Sequence, residues 1–158
     1  MTKDEMIKRG KYWVDVVGCE DCHTPHKGEV LGASPEDMPF YLAGHPADVK
    51  VELPVRSQPW ILVTSVDHTA HAGPWGISFS ANLTPDHETG LGTWTEEQFI
   101  KTLREGKVRG RGRSLLPPMP WPHFVYLKDE DLKSIFAYLR TVKAVKNRVP
   151  EPTAPAGR

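Results

Sequence analysis

Cysteine is nearly absent from this 158-residue chain: there are two, Cys19 and Cys22. No disulfide framework can therefore hold the fold together. The pair is left to serve as a cofactor anchor, as metal ligands or as a redox couple. Net charge is absent too, with 20 Lys and Arg against 20 Asp and Glu. Bulk electrostatics thus call for neither nucleic acid nor an anionic membrane surface. No apolar run approaches a membrane span, and no internal repeat is evident. The start, Met1-Thr2-Lys3-Asp4-Glu5, is charged and lacks the apolar core of a secretion signal. What is present is the composition of one globular domain, 39% hydrophobic and 25% charged, with enough chain to bury a core.

Both cysteines stand in the run Cys19-Glu20-Asp21-Cys22-His23. This C-x-x-C-H order is the signature of covalent c-type haem attachment. Each thiol can form a thioether to a haem vinyl group, and the adjacent imidazole falls beneath the iron as its proximal ligand. A redox C-x-x-C, half of a zinc site and a chance match are the competing readings. A c-type haem requires export in most bacteria. The expectation is therefore a periplasmic or otherwise exported protein whose signal has been removed.

The rest of the chain predicts a mainly helical domain over residues 1–148. Thr2 with Glu5 fits a capping box. Met6, Ile7, Gly10, Trp13, Val14 and Val17 then recur at helical spacing until Gly18. Gly10 costs such a helix about 1 kcal/mol against alanine, which close approach of another helix would explain. Residues 27–79 read as a loop-rich insertion broken by Pro35, Pro39, Pro46, Pro54, Pro59 and Pro74. Within it, 36–42 is a candidate helical turn, and Val49-Lys50-Val51 with Ile61-Leu62-Val63 a candidate hairpin. Thr95 with Gln98 is a second capping box, opening a helix with Phe99, Ile100 and Leu103 on its buried face and Gly106 at its end. Lys107 to Arg113 reads as a basic loop, and residues 115–122 as a stiff, extended proline segment. The last helix has Asp129, Glu130 and Asp131 at its start and Leu132, Ile135, Phe136 and Leu139 on one face. Residues 149–158 read as a flexible Pro/Ala-rich tail.

An electron carrier needs a second axial ligand opposite His23. Met119, held in Pro118-Met119-Pro120, is the leading candidate and Met38 the second. His26, His45, His68, His71, His87 and His123 compete in principle, though surface or hydrogen-bonding roles suit them better. His68 and His71 have no further clear metal ligands around them. Lys101, Arg104, Lys107, Arg109, Arg111 and Arg113 form a basic series with three readings. They make a solvated face, a dock for an acidic redox partner, or a source of one arginine for a haem propionate. Trp94 and Trp121 each carry an indole N–H that can reach a propionate while the ring packs on haem, and plain core packing accounts for either equally well.

Taken in order, several stretches resemble a class I-type mono-haem cytochrome c, especially the cytochrome modules associated with bacterial dehydrogenases. They are Arg9-Gly10-Lys11-Tyr12, Cys19 to Pro25, Asn82-Leu83-Thr84-Pro85-Asp86, Glu88 to Trp94, Pro118-Met119-Pro120-Trp121 and Asp129 to Arg140. The resemblance implies a cytochrome c fold with crossing N- and C-terminal helices, Gly10 meeting Phe136 or Leu139. It implies one haem c attached through Cys19 and Cys22, ligated by His23 and Met119, with Asn82, Trp94 and Trp121 around it. It does not cover residues 27–79 or the tail, and His87 stands where the family often has proline. The function implied is single-electron transfer without catalysis by the chain itself, with a dehydrogenase or terminal oxidase as redox partner. A haem peroxidase or gas sensor with a displaceable methionine is the second reading. A haem-free thiol or zinc protein is the third.

Overall fold

Thr2 and Glu5 exchange side-chain and backbone hydrogen bonds at the start of α1 (Lys3–Val16), and Thr95 and Gln98 do the same for α3 (Glu96–Glu105). Each pair satisfies amide groups that the first helical turn leaves without partners. Both helices stop at a glycine in the left-handed region, Gly18 at φ 67° and Gly106 at φ 65°. These elements belong to a computed structural model, which describes residues 1–26, 38–53 and 60–155. Residues Glu36 and Asp37 of the candidate helical turn, with Pro35, Pro54 and Pro59, lie outside the described residues. Residues 38–42 form turns.

A five-residue helix, α2 (Cys19–His23), follows Gly18 directly, and α4 (Asp129–Leu139) is the last helix. Leu132, Ile135, Phe136 and Leu139 of α4 are all buried, as the helical spacing predicts. They join Val14, Leu91, Phe99 and Leu103 in the main core. α1 packs on α4 so closely that a Cβ on Gly10 would lie 1.9 Å from the Ser134 carbonyl oxygen and 2.8 Å from Tyr138 Cβ. The contact therefore falls on Ser134 and Tyr138, not on Phe136 or Leu139, which turn into the core. Beside it, the Asp131 carboxylate accepts from Arg9 Nε at 2.6 Å and from the Trp13 indole at 2.7 Å.

The loop-rich region holds a small antiparallel sheet in the order β1 (Val63–Thr64), β2 (Ala70–Gly73), β3 (Gly76–Phe79). Of the expected hairpin only Val63 is strand. Val51 and Leu53 instead pack on Ala70, Ala72 and Ile77, forming a second, smaller core. The rows Val63–Ala72–Ile77 and Thr64–His71–Ser78 alternate across the sheet. Residues 115–122 are not extended throughout: a 3-10 helix runs from Trp121 to Tyr126. Thr153 and Ile77 exchange backbone hydrogen bonds at 2.9 and 3.0 Å, and Arg113 meets Glu151 at 3.3 Å. The chain is thus mixed, helical with a small sheet. No helix among the described residues is long and apolar enough to cross a membrane.

Candidate functional site

Gly18 lets the chain break α1 and restart at once as α2. Its left-handed backbone and the 2.8 Å space between a notional Cβ and Asp21 Oδ2 both favour glycine. On one turn of α2, positions 19, 22 and 23 are related by three and four residues and share a face. Both thiols are free and partly exposed. Burial, then the neighbouring Glu20 and Cys22, push the Cys19 thiol up to about 12. Burial and Asp21 also raise Cys22. Reactive redox cysteines have the opposite shift, toward thiolate.

His23 is buried at 8% exposure, and its Nδ1 is 2.7 Å from the Ala81 carbonyl. A carbonyl can only accept, so Nδ1 carries the hydrogen and the lone pair sits on Nε2. Burial also lowers the His23 pKa, with the Ala81 carbonyl opposing. The result is a neutral, oriented imidazole of the kind a metal takes, with the backbone carbonyl as its outer partner.

The Ala81 carbonyl is held by its neighbour. Asn82 is buried, and its amide donates to Val145 O at 2.8 Å, to Asn147 O and to Thr89 Oγ1. Its carbonyl accepts from the Thr84 amide and hydroxyl. Asn147, also buried, donates to the Ala43 and His45 carbonyls and accepts from the Ala47 amide.

Met119 is half-buried and packs on the main core, as do Cys19, Leu83, Trp94 and Met38. Its amide closes a turn onto Leu116 O at 3.2 Å. Trp94 lies under the Arg109 guanidinium, 5.1 Å from the ring centroid. Trp121 abuts the end of α3, where a Cβ on Gly106 would come within 2.3 Å of its ring. The basic series is largely engaged within the chain. Lys101 pairs with Glu97, and Arg104 with Asp129 and two carbonyls. Arg109 meets Thr93, and Arg113 meets Glu151.

The histidines divide by burial. His87 and His123 are exposed. His45 is fully buried between Thr69 Oγ1 and Val49 O, and His26 reaches Glu20 O at 3.3 Å. Among the described residues no group of three or more His, Cys, Asp or Glu could hold a metal ion. Two buried polar atoms have no hydrogen-bond partner among the described residues: Glu20 Oε2, next to the cysteines, and His71 Nε2. The shared face of the two thiols and the prepared imidazole fit a covalently attached haem. Sequence reasoning missed Ala81, Ser78 and Asn147 as parts of this surround. Their bonds to His23, Pro117 and Ala43 span 58, 39 and 104 residues, so local pattern carries no trace of them.

No family model matches the chain. It is 31% identical over 155 residues to the cytochrome c subunit of the quinone alcohol dehydrogenase of Gluconobacter oxydans, which covers 96% of this chain and 25% of that one. The fructose dehydrogenase cytochrome subunit of Gluconobacter japonicus is 32% identical over 150 residues, 94% of this chain and 24% of that one. The gluconate 2-dehydrogenase cytochrome c subunit of Pantoea cypripedii is 30% identical over 135 residues, 85% and 23%. The chain spans about a quarter of the length of these curated relatives.

Proposed function

This chain is related over most of its length to a stretch of the cytochrome c subunits of bacterial dehydrogenases, and on that premise we propose that it carries single electrons on one covalently attached haem. The observation that carries the reading is the single helical face presenting Cys19, Cys22 and His23, with the His23 Nδ1 hydrogen fixed on Ala81 O at 2.7 Å. The haem supplies the one-electron couple of its iron when bound. Cys19 and Cys22 tether it, and His23 offers Nε2 as the proximal ligand. Asn82 contributes by fixing the loop that ends in the Ala81 carbonyl, and Met119 supplies the opposite ligand. Trp94 and Trp121 wall the crevice. α1 and α4 cross at Gly10 and Ser134 in the manner of a cytochrome c.

The relatives' names support a dehydrogenase as partner. The chain passes electrons to or from it, and the C-x-x-C-H motif adds the rest of the proposed setting: an exported compartment, a terminal oxidase as the alternative partner, and no substrate transformed by the chain itself. An intact mass of protein made with haem-attachment machinery should show one added haem and no free thiol. Met119→Ala should abolish the methionine-to-iron charge-transfer band, lower the reduction potential and open the ferrous protein to carbon monoxide. An unchanged spectrum and potential in that variant would remove Met119 from the ligand set. Rapid carbon monoxide binding by the unaltered protein would favour a peroxidase or sensor instead.

A further inference from the structure

β3 approaches the methionine segment at one point. Ser78 is buried at 7% exposure, and its hydroxyl donates to the Pro117 carbonyl at 2.6 Å, with the His71 carbonyl also within 3.3 Å. Pro117 lies two residues before Met119, inside the turn closed by the Met119 amide on Leu116 O. The strand that carries Ser78 is itself secured on both edges. β2 pairs with it from Ala70 to Gly73, and Thr153 bonds Ile77 next door. Ser78 is therefore a fixed point, and the segment 117–119 is attached to it.

We infer that Ser78 is a positioning residue for the sixth ligand: the sheet within residues 27–79 braces the Met119 segment through this one hydrogen bond. The inference rests on the reading of Met119 as axial ligand. Prolines 117, 118 and 120 stiffen the segment along its own length, but they do not fix where it lies relative to the core. A side-chain hydroxyl bonded to a backbone carbonyl does. Losing the bond leaves the ligand attached to the chain but freer to swing away, so competition by an external ligand becomes easier. A buried hydrogen bond changes such an equilibrium by up to about tenfold.

The test uses the haem-loaded protein in its ferric form with imidazole as the competing ligand. Ser78→Ala should bind imidazole several-fold to about tenfold more tightly, with a weaker methionine charge-transfer band and a lower potential. Ser78→Thr should restore all three. Thr64→Val, in the same row of the sheet but not bonded to the 117–119 segment, should leave imidazole affinity unchanged even where the melting temperature falls. If Ser78→Ala does not fold, Ser78→Thr and Ser78→Val give the same comparison at matched shape. Equal imidazole affinity in the hydroxyl and hydroxyl-free variants overturns the brace, as does Thr64→Val matching Ser78→Ala. Met119→Ala separates the two readings. If it raises imidazole affinity while Ser78→Ala does not, the brace alone fails; if it too changes nothing, ligand and brace fail together.

Discussion

Burial pushes the His71 imidazole down from its ordinary 6.5 to about 4; the nearby His23, His68 and His45 add to this, and Asp67 opposes it. Between those values the unfolded chain takes up a proton that the folded chain refuses. Stability from this group is thus complete above pH 6.5 and falls as the solution is acidified toward pH 4. The loss is roughly 3 kcal/mol at the lower end, at about 1.36 kcal/mol per pH unit. Urea unfolding midpoints between pH 7 and 4.5 should show this slope, and His71→Leu should flatten it; parallel slopes would place the acid sensitivity elsewhere. At this scale the sequence is readable where chemistry is local. Cys19, Cys22 and His23 are neighbours along the chain, so their joint role can be inferred from spacing alone. Ser78, Ala81 and His71 act across space, and a serine in Gly-Ile-Ser-Phe gives no hint that it will meet Pro117.

Helices α1, α3 and α4 were legible because their caps and apolar stripes follow fixed spacings that hydrogen bonding and burial enforce. The sheet was not. Ala70-His71-Ala72-Gly73 is buried at every position, so it shows no alternation, and alanine and glycine have little strand preference. Val49-Lys50-Val51 has the better strand composition, yet Val51 serves to cover the sheet. The α1–α4 joint yields the sharpest prediction for an element. Gly10→Ala would gain about 1 kcal/mol of helix propensity but place a methyl 1.9 Å from the Ser134 carbonyl. Backbone cannot step aside as a flexible side chain can. We expect a net loss of about 3 kcal/mol, read as a lower unfolding midpoint. A variant as stable as the unaltered protein would mean that the helices can part without cost.

Across the whole molecule, Asn147 ties together segments far apart along the chain. Its side chain bonds Ala43, His45 and Ala47, and its backbone meets Thr89 and Asn82. Asn147→Ala strands at least two carbonyls and an amide, at an expected cost of about 3 kcal/mol. Thermal melting followed at the haem band and by far-ultraviolet circular dichroism should drop together. A change in one signal alone would show that Asn147 serves only its own loop. The domain's helical ends were foreseeable, but the attachment of the tail at Thr153 was not, since proline-rich composition does not reveal a bridge to Ile77. The α1–α4 joint has a further consequence, in time. Arg9 and Asp131 are 122 residues apart, so α1 lacks its main partner helix until almost the whole domain has been made. Contacts of such long range form late. During synthesis, the cysteines just after α1 are presented on an unclosed chain. The domain's geometry thus leaves both thiols on an open chain until the last helix arrives.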